Sequence, residues 1–217
     1  MFTPIKTINL NSRKILKVKY FFKRIADYTI ALALSIALAP IMIVVAIAIK
    51  LDSPGPILFK QTRIGLNGRP FKVLKFRSMV CNSEELLKEL EDKNEVKGGI
   101  VFKIKKDPRV TRVGKIIRDY SIDEIPQLFN VLLGDMSLVG PRPLPLRDIA
   151  KMEAHHNIRH QLLPGITGLT QVSGRSNCTS DEFFQWDEFY IKQWSLLLDL
   201  KILLKTLPAV ITKSGAC

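Results

Sequence analysis

Apolar and polar positions follow different rhythms along this chain, and each rhythm predicts an element. Residues 28–49 read YTIALALSIALAPIMIVVAIAI, 22 positions without a charge. As a helix, that length matches a hydrocarbon core about 30 Å thick. The run lies too far from the first residue, and is too long, for the apolar region of an ordinary signal peptide, and no small-residue cleavage site follows it. Pro40 interrupts it, and a proline there removes one backbone hydrogen bond and kinks the helix. Residues 57–64 and 71–79 are apolar and basic runs separated by Gly65-Leu66-Asn67-Gly68. Asn-Gly is a hairpin turn signal, so a two-stranded piece is predicted there. Residues 82–95 carry six acids and leucines at helical spacing, the pattern of a solvated amphipathic helix, with Gly98-Gly99 ending it. Ile125, Leu128, Phe129, Leu132 and Leu133 mark a further helix that stops at Gly134. Residues 194–211 set apolar positions around Asp199, Lys201 and Lys205, a helix that packs on the domain or lies in a membrane interface. The fold class expected is α+β: a mostly helical domain with a small β-hairpin, preceded by a Pro-broken membrane helix. Three stretches are expected: a basic segment over 1–20, the membrane helix over 21–50 and one catalytic domain with interfacial amphipathic helices over 51–217. No internal repeat and no linker long enough to define a further domain is visible.

Composition narrows the function classes. The 217 residues are 47% hydrophobic, too apolar for a disordered chain. Lys and Arg total 33 against 20 acids, a net charge of +13. Such an excess calls for an anionic partner: nucleic acid, phosphorylated substrate or an acidic membrane face. Cys81, Cys178 and Cys217 are odd in number and lack CxxC spacing, which excludes a disulfide scaffold and a four-cysteine zinc site; they read as reduced thiols facing a cytosolic compartment. Residues 1–26 hold seven Lys/Arg and no acid, and residues 50–77 hold seven Lys/Arg and one acid. Positive residues favour the cytoplasmic side. A straight span would put one flank outside, whereas a helix that dips in and turns at Pro40 returns both. Both topologies stay open; a buried soluble helix is disfavoured because the run has no polar stripe. Asp27, beside Arg24, reads as a solvated ion pair.

Chemistry concentrates between residues 115 and 145. Ser121-Ile122-Asp123-Glu124 has the form of a capping box at a helix start, although Pro126 must occupy the first turn and shifts the cap toward Ile122 or Asp123. Asp123 and Glu124 are then either simple N-terminal caps, favoured there by the helix dipole, or functional carboxylates. Lys103, Lys105, Lys106, Arg109, Arg112, Lys115 and Arg118 precede them, a solvated or lipid-facing surface or else a phosphate-binding one. Arg142 stands between Pro141 and Pro143, which cannot relax and so present its guanidinium at a fixed angle suited to bidentate phosphate binding. A carboxylate pair among rigid arginines is what phosphoryl transfer needs: one carboxylate to hold Mg2+, another to attack phosphorus, and cations to stabilise spreading charge. Residues 164–175, with Gly165, Gly168, Gly174, Gln171 and Arg175, fit either a loop whose backbone approaches a ligand or a plain turn and strand. His155, His156 and His160 lack a third partner for zinc and read as a solvated helix face.

Together these segments resemble the bacterial sugar transferase family, the monotopic polyprenyl-phosphate phosphoglycosyl transferases, over about residues 19–215. The resemblance runs through Phe22-Lys23-Arg24-Ile25-Ala26-Asp27, the Pro40-broken helix, Gly55-Pro56, Gln61-Thr62-Arg63-Ile64-Gly65 and Lys75-Phe76-Arg77-Ser78-Met79. It continues with Arg118, Asp123-Glu124, Pro126-Gln127-Leu128-Phe129-Asn130-Val131, the stretch from Gly134 to Pro143, Pro164-Gly165-Ile166-Thr167-Gly168 and Gly174-Arg175. It implies a reentrant N-terminal helix and a catalytic domain on the cytoplasmic face of the bacterial inner membrane. Asp123 would be the nucleophile toward the sugar-bearing phosphorus of a UDP-sugar, releasing UMP, and polyprenyl phosphate would then take the phosphosugar. Glu124, with Asp123 close by, would hold Mg2+; Arg118, Arg142 and Lys75 would bind phosphate; Gln171 and Arg175 would contact nucleotide or sugar. Inner-membrane lipids, a homodimer and downstream glycosyltransferases are the further partners implied, and nucleic acid is not one. The pathways are the first membrane steps of exopolysaccharide, capsule, O-antigen or glycoprotein glycan synthesis. Ala39-Pro40 replaces the family's common Ser-Pro, removing a hydroxyl that back-bonds the helix. The competing reading is a membrane-anchored basic adaptor without catalysis, for which Asp123 is dispensable; its basic residues are interleaved with few aromatics, which argues against a single-strand stacking surface.

Overall fold

The computed structural model describes residues 10–90, 104, 107–150, 152–173 and 180–211. Gly98-Gly99, Arg175, Cys178 and the basic residues 103, 105 and 106 lie outside them. The uncharged run forms two helices, α1 (Leu10–Ala37) and α2 (Ala39–Asp52). The axes of Lys17–Ala37 and Ala39–Asp52 differ by 60°. Pro40 falls in the first turn of α2, where its missing N–H costs little. Just before the bend, Ser35 Oγ donates to the Ala31 carbonyl at 2.7 Å, a back-bond of the kind that favours helix bending. The hydroxyl absent from position 39 is thus supplied one turn earlier. Among the described residues no single helix is long and apolar enough to cross a membrane; the bent pair together is. Phe21, Phe22, Ile36, Ile43, Val44 and Leu51 are each more than half exposed on it.

Asp27 is not the solvated ion pair its position suggested. It is buried, as is Lys23. Lys23 Nζ lies 2.7 Å from Asp199 and 3.6 Å from Asp27. Tyr190 and Trp194 donate to the same Asp199 carboxylate, at 2.7 and 3.2 Å, and Arg24 Nη1 donates to the Met136 carbonyl at 2.9 Å. The reason is positional: Lys23 and Asp27 share one helical face, and the chain returns over it, so the charges persist there by pairing with one another.

The basic hairpin forms as expected. Strands β1 (Leu58–Ile64) and β2 (Pro70–Phe76) pair antiparallel, from Leu58 opposite Phe76 to Ile64 opposite Pro70. Its loop is wider than a two-residue turn: the Gly65 N–H meets the Arg69 carbonyl at 2.9 Å, and Asn67 and Gly68 both take left-handed φ values, 55° and 75°. Arg77 follows β2 and is buried. It donates to the carbonyls of Ser53, Pro54 and Pro56, so a cation closes the C-terminal end of α2 and fixes the hairpin to the base of the bent pair. The acidic stretch gives α3 (Ser83–Glu89).

Helix α4 (Arg112–Asp119) is capped by Thr111, whose Oγ1 accepts the Gly114 N–H at 2.9 Å. It leads into a 3-10 turn, Ile122–Glu124, then α5 (Gln127–Leu133), which ends at Gly134 with φ 91° as the periodicity predicts. The capping box does not form. Ser121 adopts φ 55° and its side chain caps nothing, while Pro126 is the N-cap of α5. The proline moves the helix start past both acids. Asn130 of α5 joins the helix to the hairpin, accepting from Leu74 N–H at 2.9 Å and donating to the Lys72 carbonyl at 2.7 Å.

A parallel strand pair, β3 (Ser137–Val139) with β4 (Gly165–Thr167), completes the sheet structure. A Cβ on Gly165 would fall 2.1 Å from the Gly140 nitrogen, and one on Gly140 would fall 2.3 Å from the Leu163 carbonyl. The backbone that this glycine-rich stretch approaches is therefore another part of the chain itself. Between β3 and β4 lie α6 (Leu146–Ile149) and a 3-10 helix, Ala154–Gln161; α7 (Leu169–Ser173), α8 (Ser180–Gln193) and α9 (Leu196–Ile211) follow. The main core gathers Ala31, Val73, Leu128, Val131, Met136, Val139, Tyr190 and Ile202, and a smaller cluster of Val45, Ile49, Phe76 and Ile117 seats α2 on the hairpin and α4.

Candidate active site

Three elements meet at the 3-10 turn. The turn presents Asp123 and Glu124, β2 presents Lys75, and the segment after β3 presents Arg142. Lys75 Nζ lies 2.6 Å from Glu124 Oε1 and 3.9 Å from Asp123 Oδ2. Arg142 Nη2 reaches the same Glu124 Oε1 at 2.9 Å. Lys75 shares a face of β2 with the buried Val73, two residues before it, opposite the face of Phe76, and β2 is fixed by Asn130 and by Arg77 at its end. Arg118, at the end of α4, is partly buried and its charge favours ionised Asp123. Of the seven site residues read from sequence, Asp123, Glu124, Lys75 and Arg142 come together directly, with Arg118 within electrostatic reach. Gln171 is buried in α7 with neither end of its amide bonded, and Arg175 lies outside the described residues.

Proximity of like and unlike charges splits the two acids. Burial pushes Asp123 above the usual aspartate range; Lys75 opposes this and the charge of Glu124 adds to it. Burial acts on Glu124 too, but Arg142 and Lys75 outweigh it and hold its carboxyl far below the ordinary range. Burial depresses Lys75 in turn, against the pull of Glu124 and Asp123. One carboxylate is thus a firmly ionised anchor for cations, and its neighbour is more basic and less closely paired. Environment divides paired acids into distinct roles in this way.

The pair also fits a divalent cation. Mg2+ takes hard oxygen donors, commonly one or two carboxylates completed by substrate phosphates. Both ion pairs of Glu124 converge on Oε1, leaving Oε2 for a metal, and Asp123 has its nearest paired cation at 3.9 Å. Among the described residues no group of three or more His, Cys, Asp or Glu could hold a metal alone. The histidines are not all a solvated face: His155 is exposed, whereas His156 stacks on Phe184 with ring centres 3.8 Å apart.

The sequence does not single out Arg159, and marks Arg63 only within the Gln61-Thr62-Arg63-Ile64-Gly65 stretch, with no role given to it. Arg63 lies near Arg142, and burial first, then the Arg142 charge, lowers its pKa to about 10. Arg159 is 3% exposed and pairs with Asp187 at 2.9 Å. Nothing in their spacing distinguishes them from the surface cations around them.

The acid pair is thus set among cations on the turn that follows α4, the helix against which α2 of the bent pair packs. The chain belongs to the bacterial sugar transferase family, whose model matches residues 18–213. It is 43% identical over 207 residues to the galactosyl transferase CpsE of Streptococcus agalactiae serotype III (strain NEM316), covering 94% of this chain and 46% of that protein. The UDP-glucose:undecaprenyl-phosphate glucose-1-phosphate transferase of Caulobacter vibrioides is 45% identical over 202 residues, 89% of this chain and 71% of the relative. The uncharacterized sugar transferase EpsL of Bacillus subtilis (strain 168) is 38% identical over 193 residues, 89% of each chain. The chain spans less than half the length of several relatives, 46% of CpsE and 35% of the undecaprenyl-phosphate galactose phosphotransferase of Salmonella typhimurium.

Proposed function

We propose that this chain transfers a sugar 1-phosphate from a UDP-sugar to polyprenyl phosphate through a covalent intermediate on Asp123. The observation that carries the reading is the Asp123 carboxylate: mostly buried, 3.9 Å from Lys75 Nζ, and beside Glu124, which Lys75 and Arg142 hold more closely. An Asp123 oxygen attacks the sugar-bearing phosphorus, the anhydride bond breaks, and UMP leaves with the bonding pair. An oxygen of polyprenyl phosphate then attacks the same phosphorus, and the bond to Asp123 breaks to restore the carboxylate. One anhydride is broken and one made, so no nucleoside triphosphate enters. Arg142, Arg118 and Lys75 meet the charge spread over the phosphoryl oxygens. Mg2+, held by Glu124 with Asp123 beside it, neutralises diphosphate charge when bound. The relatives' names carry galactose, glucose and N-acetylgalactosamine, so the sugar of this chain is left unassigned.

The reading sets the chain at the bacterial inner membrane with its site on the cytoplasmic face. In support are the 60° bend, the exposed apolar side chains along both arms, and the basic flanks, each Lys or Arg of which contributes about 1 kcal/mol of attraction to an anionic leaflet. In this topology α1 dips into one leaflet and α2 returns. With Cys81, Cys178 and Cys217 all replaced by Ser, single cysteines at positions 5 and 69 are both expected to resist an impermeant thiol reagent in intact spheroplasts and to react after lysis. Labelling of one of them from outside would establish a full span instead.

The transfer itself is tested by weighing the protein. Incubated with a panel of UDP-sugars and no lipid, the chain is expected to gain one phosphosugar mass on the peptide containing Asp123 and to release UMP in equal amount. Absence of both adduct and UMP across the panel would defeat the proposal.

A further inference from the structure

Pro141 and Pro143 have no N–H, so the segment that carries Arg142 cannot be fixed by ladder bonds in the usual way. It is held by its acceptors. Three consecutive carbonyls each receive a donor from a different part of the chain: Pro141 from the Gly165 N–H at 3.0 Å, Arg142 from Arg159 Nη2 at 2.5 Å, and Pro143 from Arg63 Nη1 at 2.5 Å. Two of these donors are guanidinium groups on side chains themselves fixed in place. Arg63 is oriented by Gln61, whose Oε1 accepts from both Nε and Nη2, at 2.9 and 2.7 Å. Arg159 is oriented by Asp187 at 2.9 Å, which in turn accepts from Thr170 Oγ1 at 2.9 Å, and by the rings of Phe183 and Phe184, 5.2 and 5.5 Å away.

We infer that Arg63 and Arg159, with Asp187 behind Arg159, are positioning residues of the transfer reaction: they clamp the carbonyl side of the 141–143 segment so that the Arg142 guanidinium faces Glu124 and the donor phosphates. Neither need touch substrate. Burying the Arg159 guanidinium, and partly burying that of Arg63 near Arg142, is costly unless each has partners that fix it. Bonding a backbone carbonyl is a task for a forked, planar donor that makes several directed bonds at once, which a lysine cannot match. Misplacing a catalytic group by about 1 Å can reduce turnover on the order of 10²-fold.

The inference rests on the proposed transfer, and its test separates the two. The full chain, purified in detergent, is assayed for UMP release from UDP-sugar and polyprenyl phosphate, and its melting temperature is measured alongside. A wild-type chain that releases no UMP removes the parent reading together with the reaction these residues would serve. Given wild-type turnover, Arg159→Lys is expected to lower kcat 10- to 100-fold, with KM for the donor changing less and the melting temperature little altered. Because Arg159→Met alone leaves Asp187 buried without its cation, the pair Arg159→Met with Asp187→Leu keeps the fold while removing the clamp, and the same fall in kcat is expected. The deciding comparison is made in an Arg142→Ala background. There Arg159→Lys is expected to change kcat less than twofold, since the group it positions is already gone. An equal loss with and without Arg142, or near-wild-type kcat in the single variant, would overturn the inference.

Discussion

Asp123→Asn is expected to lower UMP release by at least about 10³-fold, roughly 4 kcal/mol in the barrier, in a protein that still folds. Asparagine keeps the shape of the side chain but offers no anionic oxygen to form the phosphosugar ester. It should disturb packing little, because Lys75 keeps its 2.6 Å contact with Glu124 and the 3.9 Å contact with Asp123 is the longer of the two. Removing a mostly buried charge relieves a desolvation cost while the 3.9 Å pairing with Lys75 is lost, so the melting temperature should change little. The useful contrast is with Glu124→Gln, in which Lys75 and Arg142 both lose an ionised partner. That variant should lose activity and stability together. Full turnover by Asp123→Asn, or failure of its intact mass to lose the adduct seen with the wild type, would exclude this carboxylate as the nucleophile.

The second large effect lies far from the chemistry. Asp199→Ala is expected to destabilise the protein by about 3–5 kcal/mol, the usual cost of removing one partner from a buried ion pair. Asp199 accepts from Lys23, Tyr190 and Trp194, and the variant takes that acceptor from all three, leaving Lys23 only Asp27 at 3.6 Å and Tyr190 only the Val139 carbonyl at 3.1 Å. Replacing Lys23 by Met and Asp199 by Leu together should recover part of the loss, since Arg24 at 3.6 Å still pairs with Asp27. Denaturation by urea in a mild detergent reads both variants. A change under 1 kcal/mol in Asp199→Ala would show that the network does not fasten α1 to the domain.

What could be read from the sequence divides along physical lines. The hairpin, the helix ending at Gly134 and the break at Pro40 rest on local rules, and all three were legible: Asn67 and Gly68 accept left-handed backbone, Gly134 ends a helix, and a proline cannot continue one. The acid pair was legible as well, because Asp123 and Glu124 are neighbours in sequence and Arg142 is marked by its two prolines. What failed depended on distant partners. Asp27 was read as solvated because its nearest charges in sequence lie on one turn of helix; the groups that bury it, on β3 and α9, are more than a hundred residues away. The capping box is the local exception: Pro126, already visible as a disturbance of the four-residue pattern, became the N-cap itself. Arg159 looks like any surface cation, and Arg63 like one residue of a motif, until the fold shows which carbonyls they meet, and the glycines of the 164–168 stretch do not reveal that their close neighbour is Gly140.

The tie between Lys23 and Asp199 also bears on how the protein is made. The two residues are 176 positions apart. At typical elongation rates of about 5–20 residues per second, the lysine waits roughly 10–35 s before its acid has been synthesised. During that interval α1 emerges with a cationic, apolar surface whose acid on α9 has not yet been made. A lipid headgroup layer is the natural temporary host for such a surface. Delivery to the bilayer would therefore come before final assembly of the domain, and ribosome-bound fragments ending before residue 199 should already sediment with membranes.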